Sequence, residues 1–213
     1  MTEKIKSIIS IPEKPIFSGQ IMDPKEVSSI IGTKLPDDYF ELVLCYGEGI
    51  FCNCIKLITP FAEKRSSLNL FKVIEKDERL IYEDSKEYYY NSPFSNDPAV
   101  VEYTNITLKE LGASGAGYPF EFFNGSTGLI PWGYWDSTYT FYWNYTGVSE
   151  YSIIVYGEEE FYYEYDMTTS EFLYSLFTNE ISLEGSQIKK LDFVPVKQKQ
   201  IFPAMKISET HAG

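Results

Sequence analysis

Hydrophobic and polar positions divide the chain into a helical first half and a strand-rich second half. Residues 1 to 20 carry Pro12 and Pro15 and no sustained period, which predicts an extended arm with room for an edge strand around Lys4 to Ile9. Asp23-Pro24-Lys25-Glu26 places an acid at the N-cap, proline at the first helical position and glutamate three residues after the cap. That is a capping box for a helix to about Ile31. Pro36 opens a second helix with Tyr39, Leu42 and Val43 on one side and Gly47 as its C-cap. Ile50 to Thr59 reads as one strand, with Phe51, Asn53, Ile55 and Leu57 facing one way and Cys52, Cys54, Lys56 and Ile58 the other. Apolar residues at Phe71, Ile74, Leu80 and Ile81 among many charges suit a long, partly exposed helix from Leu70 to about Tyr90, which the segment Ser92 to Pro98 breaks.

From Tyr118 onward the pattern changes to strands. Phe120 to Phe123 is followed by a turn at Asn124-Gly125, then by the Leu129 to Trp132 stretch, Thr138 to Asn144, Ser152 to Tyr156 and Phe161 to Tyr165. Within Thr138 to Asn144, alternation puts Tyr139, Phe141 and Trp143 on the core face. Thr168 with Glu171 forms a second capping box, for a helix to about Asn179. Helices first, antiparallel strands next and a helix to close predict an α+β fold, an antiparallel-rich sheet packed with helices at the N-terminal side. Three regions follow: the arm (1–20), a single domain (21–180), and a Lys-rich extension (181–213) in which Phe193-Val194-Pro195-Val196 is the apolar stretch able to dock as a strand.

Composition narrows the class. A 213-residue chain suffices for one core. Aromatic residues make up 17%, among them 18 tyrosines, so much of the core must be built from rings whose hydroxyls need partners or water. No run reaches the roughly 20 apolar residues of a membrane span, and Ile5 to Ile11 is too short and polar for a secretory signal. The three cysteines, Cys45, Cys52 and Cys54, are an odd set better suited to free thiols. These features together predict a cytoplasmic protein. The net charge of −13 disfavours nucleic acid and anionic lipid and favours a basic partner. Charge is uneven: five lysines and one aspartate between Gln187 and Lys206 give a local balance of +4, leaving −17 for the remainder.

All three tryptophans fall within twelve positions, in Gly128-Leu129-Ile130-Pro131-Trp132-Gly133-Tyr134-Trp135-Asp136 and the run to Trp143. Read as a Gly-Leu-Ile-Pro-Trp-Gly turn leading into an alternating aromatic run, this segment resembles the central motif of the SUKH superfamily, the Smi/Knr-type cell-wall-assembly-regulator domain. Leu35-Pro36-Asp37-Asp38-Tyr39 through Leu42-Val43-Leu44 to Tyr46-Gly47-Glu48-Gly49 is similar to the family's opening helix, with Tyr46-Gly47 where the family more often has Asn-Gly. Ser152 to Tyr156, Phe161 to Tyr165 and Ser170 to Phe177 resemble its closing hairpin and terminal helix. The likeness covers roughly residues 21 to 180 in family order; the order is more specific than any one motif. It implies structural roles for Leu35, Pro36, Tyr39, Gly47, Gly128, Pro131, Trp132 and Gly133. It also implies a bacterial immunity protein that neutralises a cognate toxin by binding, or a regulatory interaction module of the same fold.

Enzyme chemistry finds few footholds. The single histidine, His211, lies in the tail, so Ser-His-Asp or Cys-His catalysis lacks a base. Cys52-x-Cys54 with Cys45 lacks the usual zinc spacing, and Gly112 to Gly117 is not a phosphate loop. No cofactor or metal is expected. Asp136, among Trp132, Trp135 and Tyr139, is the best candidate for acid–base work on a carbohydrate, against the commoner role of an aspartate in a tight turn. Partner contact is expected instead at Trp135, Asp136 and Tyr139, at the hairpin tip Glu158-Glu159-Glu160, and at Glu83, Asp84 and Glu87. The carboxylates among them otherwise serve as solvated charge. The expected state is a monomer or weak dimer.

Overall fold

A computed structural model describes residues 2–75, 123, 125–136, 138–147, 151–157, 162–183 and 187–196. Among these residues, seven strands form one antiparallel sheet in the order β6-β5-β4-β3-β2-β1-β7. They are β1 (Gly49–Phe51), β2 (Ile55–Leu57), β3 (Gly128–Trp135), β4 (Tyr139–Tyr145), β5 (Tyr151–Gly157), β6 (Tyr162–Tyr165) and β7 (Phe193–Pro195). The helices are α1 (Thr2–Ile8), α2 (Pro24–Ile31), α3 (Asp37–Tyr46) and α4 (Thr169–Phe177), with a further helical segment at residues 70–75. The class is therefore α+β with an antiparallel sheet, as the pattern of helices and strands predicts. α4 does not end the fold, because β7 follows it and pairs with β1.

The Pro-Trp-Gly motif is not a turn. It lies inside β3, where the pairing with β4 shifts between Pro131 and Gly133. Proline cannot donate to a ladder and is tolerated in a central strand at such a bulge. The extra residue, Trp132, turns its ring wholly into the core, and its carbonyl accepts from the Ile58 N–H at 2.9 Å. Gly133 sits where the neighbouring strands close in: a Cβ there would stand 3.2 Å from both the Lys56 carbonyl oxygen and the Phe141 ring. Each residue of the motif thus has a structural reason.

Trp132 and Trp143 stack at 5.9 Å between ring centroids, and Tyr39 meets Trp143 edge-on at 4.7 Å. Phe172 of α4 meets Trp132 and Phe141 edge-on. The three stretches that carry the SUKH likeness therefore pack on one another. Tyr39 is fully buried and its hydroxyl donates to the Ile58 carbonyl at 2.6 Å, so the ring is buried without stranding its oxygen. The predicted core face of β4 is correct: Phe141 and Trp143 are wholly buried and Tyr139 nearly so. Leu129, Tyr142 and Ile154 form a smaller buried cluster on the opposite face.

Several helix ends follow the predicted chemistry. The Asp23 carboxylate accepts from the Lys25 N–H at 2.8 Å, an N-cap rather than the full capping box expected with Glu26, and Gly32 ends α2 in the left-handed region. Thr168 and Glu171 make both arms of their capping box. Gly47, at φ +76°, ends α3 where a Cβ would strike the backbone of Ile16.

Two expectations need correction. Residues 2–8 are helical, not an extended arm or edge strand: the spacing Ile5, Ile8, Ile9 is helical, and Ile5 and Ile9 are wholly buried. The Tyr46 hydroxyl donates to the Ile9 carbonyl and Lys6 pairs with Glu41 at 2.7 Å, so this segment belongs to the core. The single strand Ile50 to Thr59 is a hairpin. Cys52 and Asn53 both adopt positive φ, at 53° and 62°, and the Cys54 N–H returns to the Phe51 carbonyl at 3.0 Å. The Cys-x-Cys pair consequently lies in a turn rather than along one strand face. The Lys-rich extension docks as a strand through the apolar stretch expected to do so: it supplies β7, whose Phe193 packs against Phe51 and Tyr46. Of the expected Leu70–Tyr90 helix, residues 70–75 are helical and the rest lies outside the described residues.

Candidate functional site

The β3–β4 connection is the tight turn predicted around Asp136. Asp136 takes φ 48°, a left-handed conformation that aspartate tolerates better than most residues. The Thr138 N–H closes the turn on the Trp135 carbonyl at 3.1 Å, while the Asp136 N–H donates to the Cys54 carbonyl at 2.8 Å. This last bond ties the two hairpin turns together.

Of the three partner-contact residues expected here, Trp135 and Tyr139 are 7% exposed and belong to the core cluster. Tyr139 turns inward by alternation with Phe141 and Trp143, and Trp135, its cross-strand partner beyond the bulge, turns inward with it; Asp136 and Thr138 are what the turn presents to solvent. It shares an open groove of about 690 Å³ with Cys52, Cys54, Thr138, Lys189 and Lys190. Burial pushes the Cys52 thiol up to about 11 and the Cys54 thiol up to about 12, the latter aided by Cys52 and the Asp136 carboxylate. Both sulfurs are therefore protonated at neutral pH, the form that neither attacks nor ligates. Among the described residues no three His, Cys, Asp or Glu side chains are gathered as a metal site. Glu83, Asp84, Glu87, Glu158, Glu159 and Glu160 lie outside the described residues.

A second concavity was not foreseen. The N-termini of α3 and α4 come together over the β4–β5 end of the sheet, leaving a cleft of about 490 Å³. Its floor is apolar: Leu35 and Ile153 are 1% exposed and Trp143 wholly buried. Met167 and Tyr151, both half-buried, form its sides. Its rim carries Asp37, Asp38, Asp166 and Glu171 against one ammonium, Lys34.

Hydrogen bonds hold this rim in place. The Asp38 carboxylate accepts from the Ser170 N–H at 2.7 Å and its hydroxyl at 2.8 Å, so a residue of α3 caps α4. Glu171 accepts from the Thr168 N–H and hydroxyl, which hold its carboxyl below the usual range. The Trp143 indole N–H donates to the Thr169 hydroxyl at 3.0 Å, fixing floor to rim. Lys34 pairs with Asp37 at 2.8 Å on the exposed side. Asp166 is exposed.

The sequence does carry one trace of this site, since Leu35-Pro36-Asp37-Asp38 and Asp166-Met167-Thr168-Thr169 are both acidic helix starts. That the two meet at one end of the sheet is a tertiary fact. Compared with family models, curated proteins and solved structures, the chain has no match, so the SUKH resemblance rests on its residues alone.

Proposed function

We propose that this chain is a non-enzymatic, cytoplasmic immunity protein of the SUKH kind, which neutralises a cognate bacterial toxin with a basic surface by stoichiometric binding. The observation that carries the reading is the acid-rimmed, apolar-floored cleft between α3 and α4 on a chain of net charge −13. Carboxylates arranged around an apolar floor attract a cationic partner, speed its approach and penalise wrong partners. The caps keep the Asp38 and Glu171 part of the rim in one geometry, which lowers the ordering cost of association. The packing of the three SUKH-like stretches on one another agrees with a fold signature that leaves specificity to surface groups.

The test is co-expression with the toxin candidate encoded beside this gene. Growth rescue with a co-purifying 1:1 complex is the expected result, and the association rate should fall several-fold as salt rises from 50 to 500 mM. A complex without rescue would favour the regulatory interaction module, and neither complex nor rescue removes the immunity reading.

A further inference from the structure

Resting on that reading, we infer that the cleft between the N-termini of α3 and α4 receives an arginine side chain presented by the partner. Three alternatives for the occupant fail on the chemistry of the walls. Two helix N-termini would ordinarily invite an anion, each carrying about half a positive charge. Here the Ser170 N–H is taken by Asp38 and the Glu171 N–H by the Thr168 hydroxyl, and four carboxylates outweigh the two partial charges. A purely apolar side chain would fill the floor and strip water from carboxylates without replacing it. A small cation alone would leave the half-buried Pro36, Tyr151 and Met167 uncovered.

Arginine meets both halves of the site. Its methylene stem covers the half-buried Pro36, Tyr151 and Met167 while its head stays at the rim. The planar guanidinium offers donors to two carboxylates at once and is more weakly hydrated than an ammonium, which favours it over lysine. Asp38 and Glu171 are committed to their caps and contribute field. Asp166 and Asp37, both exposed at the starts of α4 and α3, are the acceptors. Asp37 already holds Lys34, so the incoming guanidinium displaces an exposed, weakly held ammonium.

The probe is the tripeptide acetyl-Gly-Arg-Gly-amide, titrated into the isotope-labelled full chain while the three indole N–H resonances are followed. The Trp143 signal should move saturably, because its N–H is bonded to Thr169 on the cleft wall. The lysine peptide should bind at least threefold more weakly and the neutral citrulline peptide should leave the signal unmoved. Asp166→Asn and Asp37→Asn should each weaken the arginine peptide about fivefold, with the thermal midpoint confirming the fold. Glu63→Gln, on the exposed surface elsewhere, should change nothing. An unmoved Trp143 signal, equal binding of citrulline, or unaltered binding to Asp166→Asn overturns the proposal.

The double variant Asp37→Asn/Asp166→Asn measured against the toxin separates the two readings. Toxin binding unaffected by the double variant removes the cleft and leaves immunity standing. Arginine-peptide binding at the cleft without any toxin complex does the reverse.

Discussion

At the scale of single residues, the core is decided by where the polar ends of large rings go. Trp143 and Trp132 are both wholly buried and stacked, but the Trp143 N–H has Thr169 as partner while the Trp132 N–H has none among the described residues. A buried donor without a partner costs about 1–3 kcal/mol. Replacing each indole by phenylalanine opens a similar space, so the difference isolates the polar end. Trp143→Phe should therefore cost about 1–2 kcal/mol more than Trp132→Phe in urea unfolding; equal costs would show that the Thr169 bond contributes nothing. The sequence announced that these tryptophans matter, and alternation assigned Trp143, Phe141 and Tyr139 to the inner face. Pro131-Trp132-Gly133 misled because proline and glycine punctuate turns and bulges alike, and only the register with β4 tells them apart. Tyr139 is buried because the same alternation continues to the end of the hairpin, and Trp135 because it pairs with Tyr139 beyond the bulge.

At the scale of elements, the least legible parts are those held by contacts distant in sequence. α1 was hidden by the prolines that follow it. The turn at Cys52-Asn53 was hidden because neither glycine nor proline marks it, leaving Asn53 as the cue for positive φ. β7 shows what such distant contacts require: Gly49 leaves room for Phe193, whose ring a Cβ would overlap, and the Val196 N–H bonds the Glu48 carbonyl at 3.0 Å. Gly49→Ala should destabilise by about 1–3 kcal/mol, as overpacking does. Because the closest clash is with the Phe193 side chain, the loss in Gly49→Ala/Phe193→Ala should be smaller than the sum of the two single losses. Strict additivity in this cycle would place the cost of Gly49→Ala elsewhere, for instance at the Val194 carbonyl, which also lies within 2.7 Å of such a Cβ.

For the whole molecule, stability should depend on pH at both ends. Glu41, held by Lys6, and Glu171, held by Thr168, have folded carboxyls below their usual 4.5. Their contribution is present above that value and is lost as pH falls below it. Burial raises the Cys52 and Cys54 thiols to about 11 and 12 and the Tyr46 hydroxyl to about 12. Their contribution is complete below about pH 9 and disappears as pH rises through those values. The urea midpoint should therefore be flat between about pH 5 and 8, falling on either side; a midpoint that climbs from pH 8 to 10 would contradict the alkaline limb. The charge of −13 was readable from composition, as was its concentration away from the Lys-rich segment. The cleft was not, because two acidic helix starts more than a hundred residues apart in the chain become one site only when the sheet sets their positions.

The pairing of β7 with β1 also governs how the protein can be made. Synthesis is vectorial, so the backbone edge of Gly49 to Phe51 leaves the ribosome long before Phe193 to Pro195 arrives to cover it. Until then the nascent chain displays an unmated strand beside Phe51 and Tyr46, the kind of edge that recruits other chains. Translation arrested short of residue 193 should yield a product that clings to chaperones, whereas release beyond residue 196 should free it.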